Sequence, residues 1–209
     1  MGIESDSKLA EYAGLLAAWP GLVGRGEDPP ALVEDSLALL PFLDGISTLV
    51  DVGSGGGMPG IPLQLVRPEL AVTLVEADRQ KAAFLEHAAA RLGIAVTVVA
   101  ERAEDVGRGS LRDSFDAACC RALASLPAAV ELCLPLVRVG GRLLALRTEP
   151  DVEAAAEACR LLGGGDPQVL PAPSRLRARG VVVMVPKLSP TPAAYPRRPG
   201  VPARRPLGI

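Results

Sequence analysis

The segment VDVGSGGGMPG at residues 50–60 combines a carboxylate with a run of glycines, and residues of these types in this order can bind a small ligand. Its apolar start predicts a strand up to Asp51, and Gly53, Gly55 and Gly57 then allow a turn whose bare backbone can approach a ligand closely. A helix is predicted directly after the turn, so backbone N–H groups would face that ligand. The segment therefore predicts a nucleotide-type binding site; the alternative is a glycine-rich turn without a ligand.

The position of the glycines and of Asp51 discriminates between two classes of ligand. The sequence G-x-G-x-x-G at 55–60 satisfies the dinucleotide fingerprint formally, but the first glycine of that fingerprint should follow the strand directly. When the frame starts at Gly53, its sixth position is Met58, so the dinucleotide register fits poorly. A carboxylate beside the turn would also repel a pyrophosphate and attract a cation. These features favour S-adenosylmethionine, which carries an ammonium and a sulfonium group, over NAD and an NAD-dependent oxidoreductase.

The second predicted strand supplies another acidic side chain. Glu76, in TLVEADRQK, ends this strand 23 residues after Gly53, close to the roughly 20 residues at which an acidic residue meets the ribose of a bound nucleoside. S-adenosylmethionine and NAD both contain a ribose, so Glu76 does not separate them. Asp78 follows two residues later and is either part of the ligand site or the N-cap of the next helix.

Alternating strand and helix patterns surround these residues and predict an α/β fold. Strands are predicted at 48–53, 72–76, 95–99 and 115–120, and helices between them at about 60–66, 78–92 and 126–137. This βαβ repetition predicts a mostly parallel, doubly wound sheet. Later in the chain, strands are predicted at 141–147, 167–170 and 180–186, and a helix at 151–161. The predicted sheet therefore has seven strands and ends in an antiparallel hairpin. Two short helices, at 7–19 and 31–40, precede the sheet.

The composition is that of an ordinary globular chain. Its 209 residues contain no apolar run near the roughly 20 residues that span a bilayer, and the N-terminus lacks the features of a secretory signal. We therefore expect a cytoplasmic protein without a membrane partner, and a monomer. The four cysteines lack metal-binding spacing and His87 is the only histidine, so we expect reduced thiols and no metal site.

Positive charge is concentrated near the C-terminus. Residues 175–209 carry eight Lys and Arg residues and no Asp or Glu, so the rest of the chain carries −10 against a total of −2. Prolines and paired arginines predict an extended basic arm at 188–209 without a packed element, which would bind RNA phosphates by releasing counterions. The candidate RNA-binding residues are Arg197, Arg198, Arg204 and Arg205. The alternative is a solvated tail without a partner.

Four segments together resemble one protein family. VDVGSGGGMPGIPLQLVRPE, VTLVEADRQKAAFLE, AERAED and FDAACCRALASL are similar, in order and spacing, to the RsmG (GidB) family of bacterial methyltransferases, which methylate N7 of a guanine in 16S ribosomal RNA. The ending YPRRPGVPARRPL is similar as well, so the resemblance covers about 35–207. The resemblance implies the class I, Rossmann-like fold of S-adenosylmethionine-dependent methyltransferases. It also implies S-adenosylmethionine as the cofactor, and 16S ribosomal RNA or a precursor of the small ribosomal subunit as the partner.

The resemblance also implies a division of the chain and roles for individual residues. An N-terminal helical extension at 1–45 would precede a cofactor-binding methyltransferase domain at 46–187 and the basic arm. Gly53 and Met58 would line the methionine and adenosyl side of the pocket, and Glu76 would hold the ribose. The other residues of the predicted cofactor site are Asp51, Gly55, Gly57 and Asp78, with Ala103 and Glu104 framing the adenine.

Arg121 occupies the R-A position of the family after the fourth predicted strand, and the resemblance implies a catalytic and cofactor-binding role for it. The alternative is a surface arginine at the end of a strand. The implied reaction needs few catalytic groups, because N7 of guanine carries a lone pair and no proton at neutral pH, so no general base is required. Alignment of the sulfonium methyl group with that nitrogen can supply most of the acceleration.

The N-terminal segment departs from the family pattern. WPGLVGRG stands in place of W-N-x-x-x-N-L-T, and ALVEDSLALL matches the family's R-H-I-x-D-S-L only at Asp35, Ser36 and Leu37. Arg147 stands where members commonly have lysine. Two alternatives therefore stay open: a methyltransferase of the same descent that acts on another RNA or a small molecule, and a non-catalytic RNA-binding factor that keeps the fold and the arm.

Overall fold

The computed structural model describes residues 3–24, 26–150 and 152–208, and its N-terminal part is helical. Helix α1 spans Ile3–Ala18 and helix α2 spans Pro29–Ser36. Both were predicted, but α2 ends before residue 40, because the chain continues over Leu37–Phe42 as a 3-10 helix. Pro41 lies in this segment and has no N–H with which to extend an α-helical hydrogen-bond ladder.

Strands and helices alternate through the rest of the chain. The strands are β1 (Thr48–Val52), β2 (Ala71–Val75), β3 (Val96–Val99), β4 (Phe115–Arg121), β5 (Val137–Arg147), β6 (Gln168–Pro171) and β7 (Val181–Pro186). The helices are α3 (Gly60–Val66), α4 (Arg79–Leu92), α5 (Ala103–Val106), α6 (Leu126–Cys133), α7 (Val152–Leu161) and α8 (Val201–Arg204). A 3-10 turn at Leu134–Leu136 ends the predicted helix 126–137, since Pro135 interrupts it.

The strands form one sheet in the order β3-β2-β1-β4-β5-β7-β6. Strands β1 to β5 are parallel, and β7 runs antiparallel to both β5 and β6. The predicted doubly wound, mostly parallel seven-stranded sheet with an antiparallel last strand is confirmed. The strand order reverses between β1 and β4, and the carboxyl ends of strands at such a point bound a crevice in which ligands bind.

Apolar layers cover the two faces of the sheet. One layer contains Tyr12 and Leu16 of α1, Leu49 of β1 and Phe84 of α4, and the other contains Val50 and Val52 of β1 with residues of α6 and α7. Side chains alternate along a strand, so the carboxylate between the two valines must point to the face of α1, α3 and α4. This alternation decides where Asp51 lies.

The C-terminal segment is packed on the body of the protein, and the prediction of an arm without a packed element is wrong. Arg112 donates hydrogen bonds to the carbonyls of Thr191 (2.5 Å) and Tyr195 (2.8 Å), and Arg108 donates to the carbonyl of Pro196 (2.7 Å). A proline-rich segment leaves many carbonyl oxygens without backbone partners, and arginine side chains can satisfy them. The segment therefore folds against the body without strand pairing and ends in the single turn of α8.

A buried ion pair fixes the same segment. Glu131 of α6 is fully buried, and it accepts hydrogen bonds from the backbone N–H (2.8 Å) and from Nε (2.9 Å) of Arg197. Arg197 was predicted to contact RNA on a free arm, but its guanidinium group points inward. Arg198, Arg204 and Arg205 are exposed and stay available to a partner.

Candidate functional site

The glycine-rich turn joins β1 to α3 at the point where the strand order reverses. Gly53 has a φ of 69° and donates its N–H to the carbonyl of Val75 at the end of β2 (2.9 Å). A Cβ atom at this position would overlap the side chain of Leu123, which lies in the loop after β4. The Tyr12 hydroxyl of α1 donates to the carbonyl of Gly56 and holds the turn from the other side. The turn therefore requires glycine at position 53 for its conformation.

Asp51 lies beneath this turn and does not line a cavity. Its side chain is fully buried, and Oδ2 accepts a hydrogen bond from the N–H of Gly60 at the start of α3 (2.9 Å). Oδ1 accepts no hydrogen bond of regular geometry among the described residues, but the Cys119 thiol lies beside the carboxyl group. Burial raises the pKa of this carboxyl group to about 7, although the Gly60 N–H, the charge of Arg121 and the Cys119 thiol act in the opposite direction. Asp51 was predicted to belong to the cofactor site; in the structure its buried carboxyl group orients α3 by accepting the N–H of Gly60.

Glu76 follows β2 and reaches the ligand side of the turn. Its Oε2 accepts a hydrogen bond from the N–H of Gly55 (2.8 Å), and its Oε1 accepts one from the N–H of Asp78 (2.8 Å). The side chain is 9% exposed and lines a cavity of about 200 Å³ together with Gly53. Each carboxylate oxygen has a second lone pair that can accept a hydrogen bond from a hydroxyl group of a ligand.

Asp78 itself is an exposed N-cap. Its side chain accepts hydrogen bonds from the backbone N–H groups of Gln80 (2.8 Å) and Lys81 (3.3 Å) in the first turn of α4. The residue does not line the cavity. Of the two roles considered for Asp78, the geometry matches the capping role.

Ala103 and Glu104 form the far wall of the same cavity, at the start of α5. Glu104 is 1% exposed, and its Oε1 accepts hydrogen bonds from Nη2 of Arg102 (2.9 Å) and from the N–H of Gly200 (2.7 Å). Burial would raise the pKa of Glu104, but the hydrogen bonds from Arg102 and Gly200 outweigh it, and the pKa lies below its usual value. The C-terminal segment thus touches a residue of the cavity wall, which the sequence did not predict.

Arg121 lies beside this cavity rather than in its wall. Its Nη2 is 3.9 Å from Sδ of Met58, and its Nη1 is 3.6 Å from Oδ2 of Asp35. It lines a second cavity of about 300 Å³, and Ala122 lines both cavities. Ala122 has a φ of 51°, a conformation that is rare for alanine and that is often found at functional sites.

Sequence reasoning missed the group of side chains around Arg121. Asp35 is fully buried and accepts hydrogen bonds from Nε of Arg177 at 2.8 and 3.0 Å, and Nη1 of Arg177 donates to the carbonyl of Arg147 (2.7 Å). These residues come from α2, β5 and the loop between β6 and β7. Their sequence separations hide the cluster, although Asp35 was noted as a match to a family motif.

Neither a metal-binding cluster nor a membrane-spanning helix occurs in the part of the chain that the structure describes. Among the described residues, no group of three or more His, Cys, Asp or Glu side chains could hold a metal ion, and the four cysteines are buried and unbridged. Within the same described ranges, no helix is long and apolar enough to cross a membrane.

The architecture around these cavities is shared with solved methyltransferases. The S-adenosylmethionine-dependent methyltransferase SibL, in its apo form, gives a TM-score of 0.64 at 17% identity and covers 87% of this chain and 70% of its own. An O-methyltransferase from Bacillus cereus in complex with SAH gives a TM-score of 0.62 at 19% identity, with coverage of 87% and 91%. The fold is that of the class I S-adenosylmethionine-dependent methyltransferases.

Sequence comparison identifies the family within that class. A family model described as GidB, rRNA small subunit methyltransferase G, matches residues 6–171. A ribosomal RNA small subunit methyltransferase G of Roseiflexus castenholzii is 46% identical over 216 residues, covering 96% of this chain and 91% of that protein. One from Moorella thermoacetica is 41% identical, covering 98% and 91%. The chain belongs to the rRNA small subunit methyltransferase G family, and the match begins well before residue 35, where the resemblance was predicted to start.

Proposed function

We propose that this protein transfers a methyl group from S-adenosylmethionine to N7 of a guanine in 16S ribosomal RNA. The observation that carries the proposal is the cavity between Gly53, Glu76 and Glu104 at the reversal of strand order, which shares the lining residue Ala122 with a second cavity. One cavity suits a cofactor and the other a substrate. We also propose that residues 46–187 form the cofactor-binding domain. The protein would act as a monomer in the cytoplasm.

The residues of the first cavity fit the proposed cofactor. Its wall contains the carboxylates of Glu76, Glu101 and Glu104 and a single guanidinium group, that of Arg102. Such a wall disfavours the pyrophosphate of NAD and favours a ligand without phosphate. Glu76 would accept the ribose hydroxyls, Ala103 and Glu104 would read the edge of the adenine, and the backbone of Gly53 would approach the methionine moiety.

The residues of the protein have to position the methyl group and the guanine; they do not have to transfer a proton. When bound, S-adenosylmethionine supplies an activated methyl group on a sulfonium. Glu76 and the turn at Gly53 fix where that group sits, and the strained backbone at Ala122 separates it from the substrate side. N7 of guanine needs no deprotonation, so the methyl transfer requires no general base. Arg121, next to Met58, would orient the base and its flanking negative charge.

Transfer of a labelled methyl group tests the proposal directly. The purified protein is incubated with labelled S-adenosylmethionine and small ribosomal subunits, and the label is expected in 16S ribosomal RNA as 7-methylguanine. Label in another base or in no RNA would overturn the proposal. NADH in the same cavity, detected by calorimetry, would overturn the cofactor assignment.

The affinity for the cofactor is expected to rise with pH between about pH 5.5 and 7, a range in which its amino group stays mostly protonated. The pKa of Asp51 is raised to about 7 by burial, so its ionised fraction grows over this range. An ionised carboxyl group attracts the ammonium and sulfonium charges, whereas the protonated group does not. Calorimetry at several pH values should show this rise in the natural protein and a flat profile in Asp51→Asn. A flat or falling profile in the natural protein would mean that Asp51 has only a structural role.

A further inference from the structure

A buried carboxylate connects three elements beside the second cavity. Asp35, in helix α2, is fully buried and lines this cavity together with Arg121 and Arg177. Its two oxygens accept hydrogen bonds from Nε of Arg177 at 2.8 and 3.0 Å, and Oδ1 also accepts one from the hydroxyl group of Ser174. These donors come from the loop between β6 and β7, and they restrain the carboxylate against the end of β4.

The two arginines around Asp35 use the carboxylate differently. Arg177 makes hydrogen bonds to both of its oxygens and also donates from Nη1 to the carbonyl of Arg147 (2.7 Å). Nη1 of Arg121 lies 3.6 Å from Oδ2, which is too long for a hydrogen bond but close enough for an ion pair. The side chain of Arg121 is 20% exposed. Asp35 therefore attracts the guanidinium group of Arg121 and leaves its N–H donors available to a ligand.

Asp35 is the charged group that restrains Arg121. In the described part of the chain it is the one carboxylate that forms an ion pair with this arginine. Nη2 of Arg121 also lies 3.9 Å from Sδ of Met58, but a thioether sulfur is only a weak acceptor. An arginine side chain has about 2 kcal/mol of rotamer entropy to lose, so it needs a strong partner to stay in one position. Without the charge of Asp35, Arg121 would sample several positions.

The position of Arg121 matters because it stands where the two cavities meet. It is the last residue of β4 and lines the second cavity, and Ala122, which follows it, lines both cavities. Under the proposed function, the methyl group passes at this boundary from the cofactor to the base. Methyl transfer depends on alignment, and a misplacement of about 1 Å can cost on the order of 100-fold in rate.

We propose that Asp35 is a positioning residue for methyl transfer, which holds Arg121 at the boundary between the two cavities. It acts through Arg121 and contacts neither the cofactor nor the base. Ser174 and Arg177 assist by fixing the carboxylate from the loop between β6 and β7. This inference rests on the proposed function, in which Arg121 orients the base, and it names the residue that sets the orientation of Arg121.

The test is a double-mutant cycle between Asp35→Asn and Arg121→Ala, with methyl transfer to small ribosomal subunits as the assay. Asparagine keeps the size of Asp35, but it has no charge and presents N–H donors to the guanidinium groups. Asp35→Asn is expected to lower kcat/KM by about tenfold or more. It should change kcat, KM and cofactor affinity in the same proportions as Arg121→Ala does. In the Arg121→Ala background it should cause no further loss, because its effect passes through Arg121.

Asp116→Asn is the matched control for loss of stability. Asp116 lies at the opposite end of β4, where it also pairs with an arginine, Arg138 (2.8 Å), and accepts the backbone N–H groups of residues 47 and 48. Asp116→Asn and Asp35→Asn should both lower Tm, since each removes a charge that several donors stabilise. Only Asp35→Asn should change the kinetic parameters.

A second variant covers the case in which Asp35→Asn does not fold. Ser174→Ala removes one donor from the carboxylate, and its expected effect is a smaller fall in kcat/KM that also disappears in the Arg121→Ala background. Full activity of Asp35→Asn would overturn the inference. So would a loss that is equally large with and without Arg121, or an equal loss in Asp116→Asn, because activity would then follow stability alone.

The two proposals fail in different ways. If the natural protein transfers no methyl group to small subunits, the proposed function fails whatever the variants do. If the natural protein is active and the effects of Asp35→Asn and Arg121→Ala simply add, only the positioning role fails.

Discussion

Replacement of Glu76 by alanine is expected to weaken binding of S-adenosylmethionine at least about tenfold, since each lost hydrogen bond to a charged group contributes on the order of 1.5–3 kcal/mol. The carboxylate accepts the N–H groups of Gly55 and Asp78, so alanine would loosen the turn and the start of α4 at once. It would also remove the acceptors proposed for the ribose hydroxyls. Calorimetry with the cofactor measures the effect.

Two variants separate the role of Glu76 from general damage. Glu86→Ala removes a carboxylate from the exposed face of α4 and should leave cofactor affinity unchanged. Glu76→Gln keeps one carbonyl acceptor and should fall between the natural protein and Glu76→Ala. Full affinity in Glu76→Ala would place the cofactor elsewhere.

Replacement of Arg197 by alanine is expected to lower the free energy of unfolding by about 3–5 kcal/mol, the range found when one partner of a buried ion pair is removed. Glu131 is fully buried in α6 and would be left without the guanidinium group that now binds both of its oxygens. The C-terminal segment would lose one of its anchors, which should weaken the nearby contact between Gly200 and Glu104 in the cofactor cavity. Urea unfolding gives the stability, and calorimetry gives the accompanying loss of cofactor affinity.

The neighbouring residue provides the control for this prediction. Arg198 is exposed, so Arg198→Ala should change stability by no more than about 0.5 kcal/mol. The double replacement Glu131→Leu with Arg197→Met removes both charges and should recover much of the lost stability. If Arg197→Ala is as stable as Arg198→Ala, the C-terminal segment is not held by this pair.

The sheet could be predicted from sequence because its signals are local. The apolar, β-branched runs of β1 to β4 and the helices between them each carry their own periodicity, and the turn after Asp51 carries its own glycines. Helices α5 and α8 were missed because a helix of four residues is too short to show a period. The alternation of side chains along β1 places Asp51 on the face opposite Val50 and Val52, so the local pattern of this strand already contains the position of the carboxyl group.

The C-terminal segment and the second cavity depend on contacts that no local pattern contains. Prolines and arginines near the end of a chain suggest an open arm, but here Arg112 and Glu131 from the body bind that segment. Likewise, Arg177 is an ordinary charge in the sequence, and only the folded chain brings its side chain to Asp35 and to the backbone carbonyl of Arg147. The residues that fit the cofactor were predictable, whereas those that fit the substrate required the structure.

Methylation of 16S ribosomal RNA by this protein can be tested by mapping 7-methylguanine in cells with this gene, in cells without it, and in the latter complemented with the natural gene or with Glu76→Ala. We expect one 7-methylguanine that is present with the gene, absent without it, restored by the natural gene and restored to a lower level by Glu76→Ala. The same modification in cells that lack the gene would contradict this expectation.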